Sequence, residues 1–254
     1  MKIYDITDFG AIGDGRTDNC SAIQEAIDLC SANGGGIVRI PGGSVFLTGP
    51  FDLKSFVNLH VESGARLLAN PDEGVYTKSA FKENFKEGSI WIGGEHAEKV
   101  SITGKGTIDG NGILFMGEER KAAYELKPFG DRDPRPHVFT PIGFTNLTIK
   151  DVTFTNAAYW CLHLVGCEDV SIEGVRILND LKIRNSDGID PDHSRNVRIN
   201  NCYIESADDC ICLKTRREYA DYGPTENVTV SNCILKSTSC SICLLYTSPS
   251  PRDF

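Results

Sequence analysis

Asn146-Leu147-Thr148-Ile149, followed by Val152-Thr153-Phe154, is the stretch from which the fold can be read. The pattern returns as Asp169-Val170-Ser171-Ile172 with Val175-Arg176-Ile177, as Asn196-Val197-Arg198-Ile199 with Cys202-Tyr203-Ile204, and as Asn227-Val228-Thr229-Val230 with Cys233-Ile234-Leu235. Each unit is an alternating strand, a polar step and a second short strand. The first strands begin at 147, 170, 197 and 228, so the units are 23, 27 and 31 residues apart. A strand repeat of this period makes one turn of a β-solenoid, whereas a propeller blade needs about 40–45 residues. An asparagine stands just before the strand in three of the four units, which suits a turn between stacked strands. The expectation is an all-β chain folded as a single-stranded right-handed parallel β-helix over residues 1–242.

Upstream, the short runs Ile37–Ile40, Val45–Leu47, Val57–Val61 and Val100–Ile102 extend the same architecture. Residues 18–33 form the one clear helix. Asp18 or Asn19 can cap it, Ile23, Ala26, Ile27 and Cys30 recur at helical spacing, and Gly34-Gly35-Gly36 stops it. This helix is expected to cover the open end of the solenoid, whose bare strand edges would otherwise aggregate. The charged, proline-bearing segment Phe115 to His137 reads as a long loop. Residues 243–254 break the repeat in mid-strand, and a back-translation of Cys243 to Asp253 resembles a transposon-end adapter used in sequencing libraries. They are expected to be a non-native tail, with the solenoid incomplete at its C-terminal end.

Composition narrows the function. Of 254 residues, 40% are hydrophobic and 24% charged, as in ordinary globular proteins. No apolar run approaches the roughly 18 residues of a membrane span. The first residues contain no apolar leader, so a cytoplasmic location is expected, or a secreted or periplasmic one if the true start lies upstream. A net charge of −9 argues against nucleic acid or an anionic membrane as partner. The ten cysteines include Cys210-x-Cys212 and read as reduced core residues. No metal or cofactor is expected, and the chain is expected to be a monomer.

The chemistry concentrates in Asn185-Ser186-Asp187-Gly188-Ile189-Asp190-Pro191 and Ser206-Ala207-Asp208-Asp209-Cys210-Ile211-Cys212-Leu213-Lys214. Asp187 and Asp208 are 21 residues apart, close to one coil, so the two motifs should be neighbours on one face. Clustered carboxylates repel. They are costly unless they bind a metal, do acid–base work or are satisfied as turn residues. Inverting glycoside hydrolysis needs one carboxylic acid and one carboxylate, about 6.5–9.5 Å apart with water between, and like charges nearby raise an acid's pKa.

These residues are similar to the motifs of glycoside hydrolase family 28, the polygalacturonases and their relatives. Asn185-Ser186-Asp187 resembles the family's Asn-Thr-Asp, and Ala207-Asp208-Asp209 its Gly-Asp-Asp, followed by the typical Cys-Ile-x-Leu-Lys. The N-terminal run Asp8-Phe9-Gly10-Ala11-Ile12-Gly13-Asp14-Gly15 resembles the opening of pectin-acting β-helix proteins and of some phage tailspikes. The resemblance implies that Asp208 is the general acid, that Asp187 and Asp209 hold and activate the attacking water, and that Asn185 contacts the sugar of a pectic poly- or oligosaccharide. Ser239-Cys240-Ser241 stands where the family usually has Gly-His-Gly, and the family's later Arg-Ile-Lys is absent. A rhamnogalacturonan-type hydrolase, a calcium-dependent pectate lyase and a non-catalytic binding or tailspike-like β-helix remain as alternatives, and endo and exo action both stay open.

Lys214 is a further candidate for the cleft, and Trp160 with Tyr159 for sugar stacking or for packing. His163 reads as a structural histidine. Residues 181–217 carry seven basic and six acidic side chains, a local +1 that would suit an acidic sugar.

Overall fold

The computed structural model describes residues 2–82, 87–120, 125–128 and 133–244. The chain winds through three parallel sheets in turn. The first holds Ile3–Asp5, Gly36–Ile40, Val57–Val61, Ser101–Gly104, Thr145–Lys150, Glu168–Glu173, Arg195–Asn200 and Glu226–Ser231, stacked in sequence order. The second sheet has eight strands, from Asp14–Asp18 to Ile234–Ser237, and the third seven, from Phe51–Asp52 to Ile242–Leu244. This is the expected right-handed parallel β-helix.

Like residues stack on like, coil after coil. Val38, Leu59, Ile102, Ile149, Ile172 and Ile199 are in register in the first sheet and at most 1% exposed. Phe46, Leu67, Ile108, Phe154, Ile177 and Ile204 form the second row. Phe51, Ile92, Phe139, Leu162, Ile189 and Ile211 form the third. Each such side chain contributes about 1.5–3 kcal/mol relative to leaving it in water. Six of the ten cysteines are buried and all ten are free thiols, in line with the core reading.

The corners between strands are fixed by left-handed residues. Asn146, Asp169, Asn196 and Asn227 all have φ between 55° and 58°, a region that asparagine and aspartate tolerate and β-branched residues do not. Their side chains form a ladder: Asn196 Nδ2 donates to Asp169 Oδ1 (3.1 Å) and Asn227 Nδ2 to Asn196 Oδ1 (3.2 Å).

The helix spans Cys20–Ala32 and buries Ile23, Ala26, Ile27 and Cys30 against the first coils, as the periodicity predicts. Its cap comes from Asp18, whose Oδ1 accepts from Cys20 N (2.8 Å). Asn19 is otherwise engaged, accepting from Ile12 N and donating to Leu47 O. Gly34 and Gly35, at φ 84° and 97°, turn the chain out of the helix.

The expected loop between Phe115 and His137 is a correction. Met116–Arg120 pairs antiparallel with Glu125–Pro128, and Asp133–Phe139 joins the third sheet. The register shifts between Asp133 and Pro136; charged residues and prolines hid a local hairpin and a short, irregular strand whose partners lie elsewhere in the chain. Ile242–Leu244 pairs in register with Ile211–Leu213, and residues 245–254 of the expected tail lie outside the described residues. Among the described residues no helix is long and apolar enough to cross a membrane.

Replacing Asn196 with Val should lower stability by about 1–2 kcal/mol, since a β-branched residue is strained at φ 56°. Asn196→Gly should cost much less. Urea midpoints of the two variants check this.

Candidate active site

Backbone register builds the site. Cys161 N donates to Asp187 O, Gly188 N to Asp209 O and Cys210 N to Cys240 O, each at 2.9 Å. Trp160, Asp187, Asp209 and Cys240 therefore occupy one row on successive coils. Asp187 lies over Asp209, with Asp208 one residue earlier. Gly188 permits this stacking, because a Cβ there would lie 2.4 Å from Cys210 O. The loop before it is pinned by Asn179, which accepts from Ala157 N (3.0 Å) and donates to Ser186 O (2.8 Å).

Lys214 is the hub. Its Nζ lies 2.9 Å from Asp187 Oδ2, 3.2 Å from Asp190 Oδ1 and 3.9 Å from the centre of the Trp160 ring. The ammonium and both carboxyls are buried. Burial works against the Lys214 charge, but Asp190 and Asp187 outweigh it and hold the amine well above its ordinary value. One ammonium cannot neutralise two buried carboxylates. Burial pushes Asp190 well above the usual carboxylate range, and neither of its oxygens has a hydrogen-bond partner in good geometry. Burial also pushes Asp187 up, to about 6, with Lys214 opposing and Asp208 and Asp209 reinforcing the shift.

Asp208 is the partly exposed member of the cluster. Burial and then the charge of Asp209 raise its carboxyl above the ordinary value. Asn185 Nδ2 donates to Asp208 Oδ2 at 3.3 Å. Asn185, at φ 57°, is itself steadied by Arg135, which donates to Ala158 O, Arg184 O and Asn185 Oδ1. Ser239 Oγ donates to Asp209 Oδ1 (3.1 Å). A partly solvated acid whose carboxyl is raised, beside two more sheltered carboxylates, is the electrostatic arrangement that acid–base hydrolysis requires.

The structure thus brings Asp187, Asp208, Asp209, Asn185 and Lys214 together. Trp160 joins them as a packed ring, 8% exposed, with Lys214 on its face and Phe81, His137 and His163 around it. Its contacts are with the protein, not with an open platform. His163 is fully buried and its Nε2 lies 3.0 Å from Asp192 Oδ2. Burial pushes the imidazole down, so the neutral ring donates to the carboxylate. Burial opposes the Asp192 charge, but this bond and the one from Arg216 N (3.0 Å) hold Asp192 below its ordinary value.

The local basicity is redistributed by the coil geometry. Lys214 and Arg216 stand at the site, but Arg195 pairs with Glu168 (2.9 Å) and Arg198 aligns with Ser171 and Thr229 on the first sheet. Asp190, Asp192, Arg135 and Asn179 were not singled out by the sequence reading. Asp190 carried a signal, three residues after Asp187 and next to the same strand; Arg135 and Asn179 act from other coils and carried none.

Asp209, Cys212 and Cys243 bring ligand atoms within 4.8 Å of one another. Calcium takes oxygen ligands, and burial pushes the Cys212 and Cys243 thiols up, the latter to about 11. Protonated thiols are poor ligands, so these residues do not fit a resident metal.

The fold and the cluster define the structural class, a parallel β-helix that stacks carboxylates on successive coils. Within that class, residues 30–240 match the sequence model of "Glycosyl hydrolases family 28", and the chain belongs to this family. A Vitis vinifera protein named "Probable polygalacturonase" is 33% identical over 222 residues, covering 83% of this chain and 44% of its own length. An exopolygalacturonase of Zea mays is 30% identical over 216 residues, covering 83% and 48%. The exopolygalacturonase structure from Thermotoga maritima superposes with a TM-score of 0.78 at 27% identity, covering 94% of this chain and 61% of that one. The chain spans less than half the length of these two curated relatives.

Lys214→Met should destabilise the fold by about 3–5 kcal/mol at neutral pH, by stranding buried carboxylates. Lowering the pH should shrink the loss as those groups take up protons. For Asp187, a folded value of about 6 against an ordinary 3.8 means that its protonation favours the folded state. That contribution is fully present below about pH 4 and is lost as pH rises through about 6. Chemical denaturation across this window should show a flatter pH dependence for Asp187→Asn than for the parent.

Proposed function

We propose that the chain hydrolyses glycosidic bonds of a pectic, uronate-containing polysaccharide or oligosaccharide with inversion, in the manner of a polygalacturonase. The observation that carries the reading is the cluster itself: a partly exposed Asp208 with a raised pKa, set against Asp187 and Asp209 on adjacent coils. Asp208 protonates the leaving oxygen. Asp187 and Asp209 orient a water on the opposite side of the sugar and accept its proton. Asn185 meets the sugar and holds Asp208. Lys214 keeps Asp187 ionised enough to act as a base. Arg184, in the segment that bears Asn185, supplies positive charge for a uronate, while Arg216 is paired with Glu218 at 2.8 Å. The names of the relatives support this substrate class.

Lys214 also separates this reading from that of a calcium-dependent lyase. In a lyase the aspartates would gather around a divalent cation; here an ammonium occupies that place, 2.9 Å from Asp187.

Asp208→Asn should lower reducing-end release from polygalacturonate by about 100- to 10,000-fold, with circular dichroism unchanged. The parent should keep its activity in excess chelator and form no unsaturated, near-UV-absorbing product. Loss of activity on chelation, or appearance of that chromophore, would establish a lyase instead.

A further inference from the structure

We infer that Arg135 is a positioning residue for the general acid: it fixes which end of the Asn185 side-chain amide faces Asp208, and so holds an N–H donor against that carboxyl. The role of Asp208 as the acid rests on the hydrolase reading above. Arg135 acts from a distant coil. It stands on Asp133–Phe139, and the third sheet continues through Leu162–Val165, Ile189–Asp192 and Ile211–Leu213. Asn185 lies just before the third of these strands and Asp208 just before the fourth.

The guanidinium is fully buried, where a cation is costly unless its N–H groups find acceptors. Nη1 donates to Ala158 O (2.9 Å) on the next coil and to Arg184 O (2.7 Å) on the coil after that. Nη2 donates to Asn185 Oδ1 (3.4 Å). The Arg135 Cζ also lies 4.5 Å from the centre of the Tyr159 ring. Two backbone carbonyls and an aromatic face therefore fix the fork, and Asn185 meets a donor whose position is already set.

An asparagine amide can present either its oxygen or its NH2 group, which have nearly the same shape. A guanidinium has donors and no acceptor, so the end of Asn185 that meets Arg135 must be Oδ1. The other end is then Nδ2, which donates to Asp208 Oδ2 at 3.3 Å. Polarity is thus passed through the amide to the acid. An N–H donor favours the ionised carboxyl, whereas a carbonyl in its place would favour the protonated one. The other groups facing Asp208 are Asp209, which raises its carboxyl, Lys214 and Ser239, which lower it, and Asp187, which interacts with it through charge. Burial and Asp209 push the acid up, and the Asn185 donor limits that rise. An acid raised too far would give up its proton to the leaving oxygen poorly.

The test is an NMR titration of the Asp208 carboxyl in isotopically labelled protein, its resonance assigned by its loss in Asp208→Asn. In the parent chain the side-chain NH2 protons of Asn185 should shift with the Asp208 midpoint. NH2 protons that stay unmoved through that midpoint overturn the inference, and this arm needs no Arg135 variant to fold. Arg135→Met should raise the Asp208 midpoint by about 0.5–1 unit, a change of about 3- to 10-fold in proton affinity. Asn185→Gly, which removes the amide at a φ that glycine accepts, should raise it by a similar amount. Adding Arg135→Met to Asn185→Gly should then move it little further. An unmoved midpoint in Arg135→Met, or an equal shift from that substitution with and without the amide, overturns the inference; the second result would mean that Arg135 acts by charge or packing alone. On polygalacturonate, Arg135→Met should carry the alkaline limb of kcat/KM to higher pH by the same amount, and a uniform fall at every pH contradicts the assignment. Absence of hydrolysis by the parent counts against the hydrolase reading instead and leaves the titration result standing.

Discussion

Every coil of this molecule must return to the same register about 4.8 Å from the one before, and both the core and the catalytic cluster follow from that constraint. On the inside, register superimposes isoleucine on isoleucine and phenylalanine on phenylalanine, and burial stabilises the fold. On the outside of the third sheet the same register superimposes Asp187 on Asp209, with Asp208 and Asp190 close by. Stacking that is favourable for apolar side chains is unfavourable for carboxylates. The backbone ladder, anchored by three rows of interior residues, holds the acids together against their repulsion.

Lys214 makes that arrangement tolerable. A buried cation among buried acids offsets only part of their desolvation, so the remaining cost appears as carboxyls raised above their ordinary values at Asp190, Asp187 and Asp208. The raised carboxyls are thus a consequence of packing and not a separate invention, and they supply what acid–base chemistry needs. The same ammonium lies on the Trp160 ring, so the group that tunes the acids also seats them against the aromatic cluster of Phe81, Tyr159 and Trp160.

Much of this was legible in the sequence, for identifiable reasons. The four units beginning at 147, 170, 197 and 228 could be read because strand alternation and the corner asparagines recur locally. Asp187, Asp208 and Asp209 could be read because one coil is about as long as the interval between their motifs. Their register could not: the hydrogen bond from Gly188 to Asp209 O puts Asp187 over Asp209, a one-residue distinction that spacing does not carry. Tyr219 and Ala80 are 139 residues apart, so the hydrogen bond that ties their segments together has no local signature. The basic residues of 181–217 were adjacent in sequence, yet a β-helix deals neighbours out to different faces, and Arg195 and Arg198 went to the first sheet. The hairpin after Phe115 was hidden by charges and prolines that usually mark loops.

The most direct test of the central claim is the anomeric configuration of the first product, followed by proton NMR during the opening minutes of the reaction on polygalacturonate. An acid and a water-holding pair on opposite sides of the sugar predict a new reducing end with configuration opposite to that of the bond cleaved. A product that retains the original configuration would mean that a carboxylate attacks the sugar directly, and the division of roles among Asp208, Asp187 and Asp209 would be wrong.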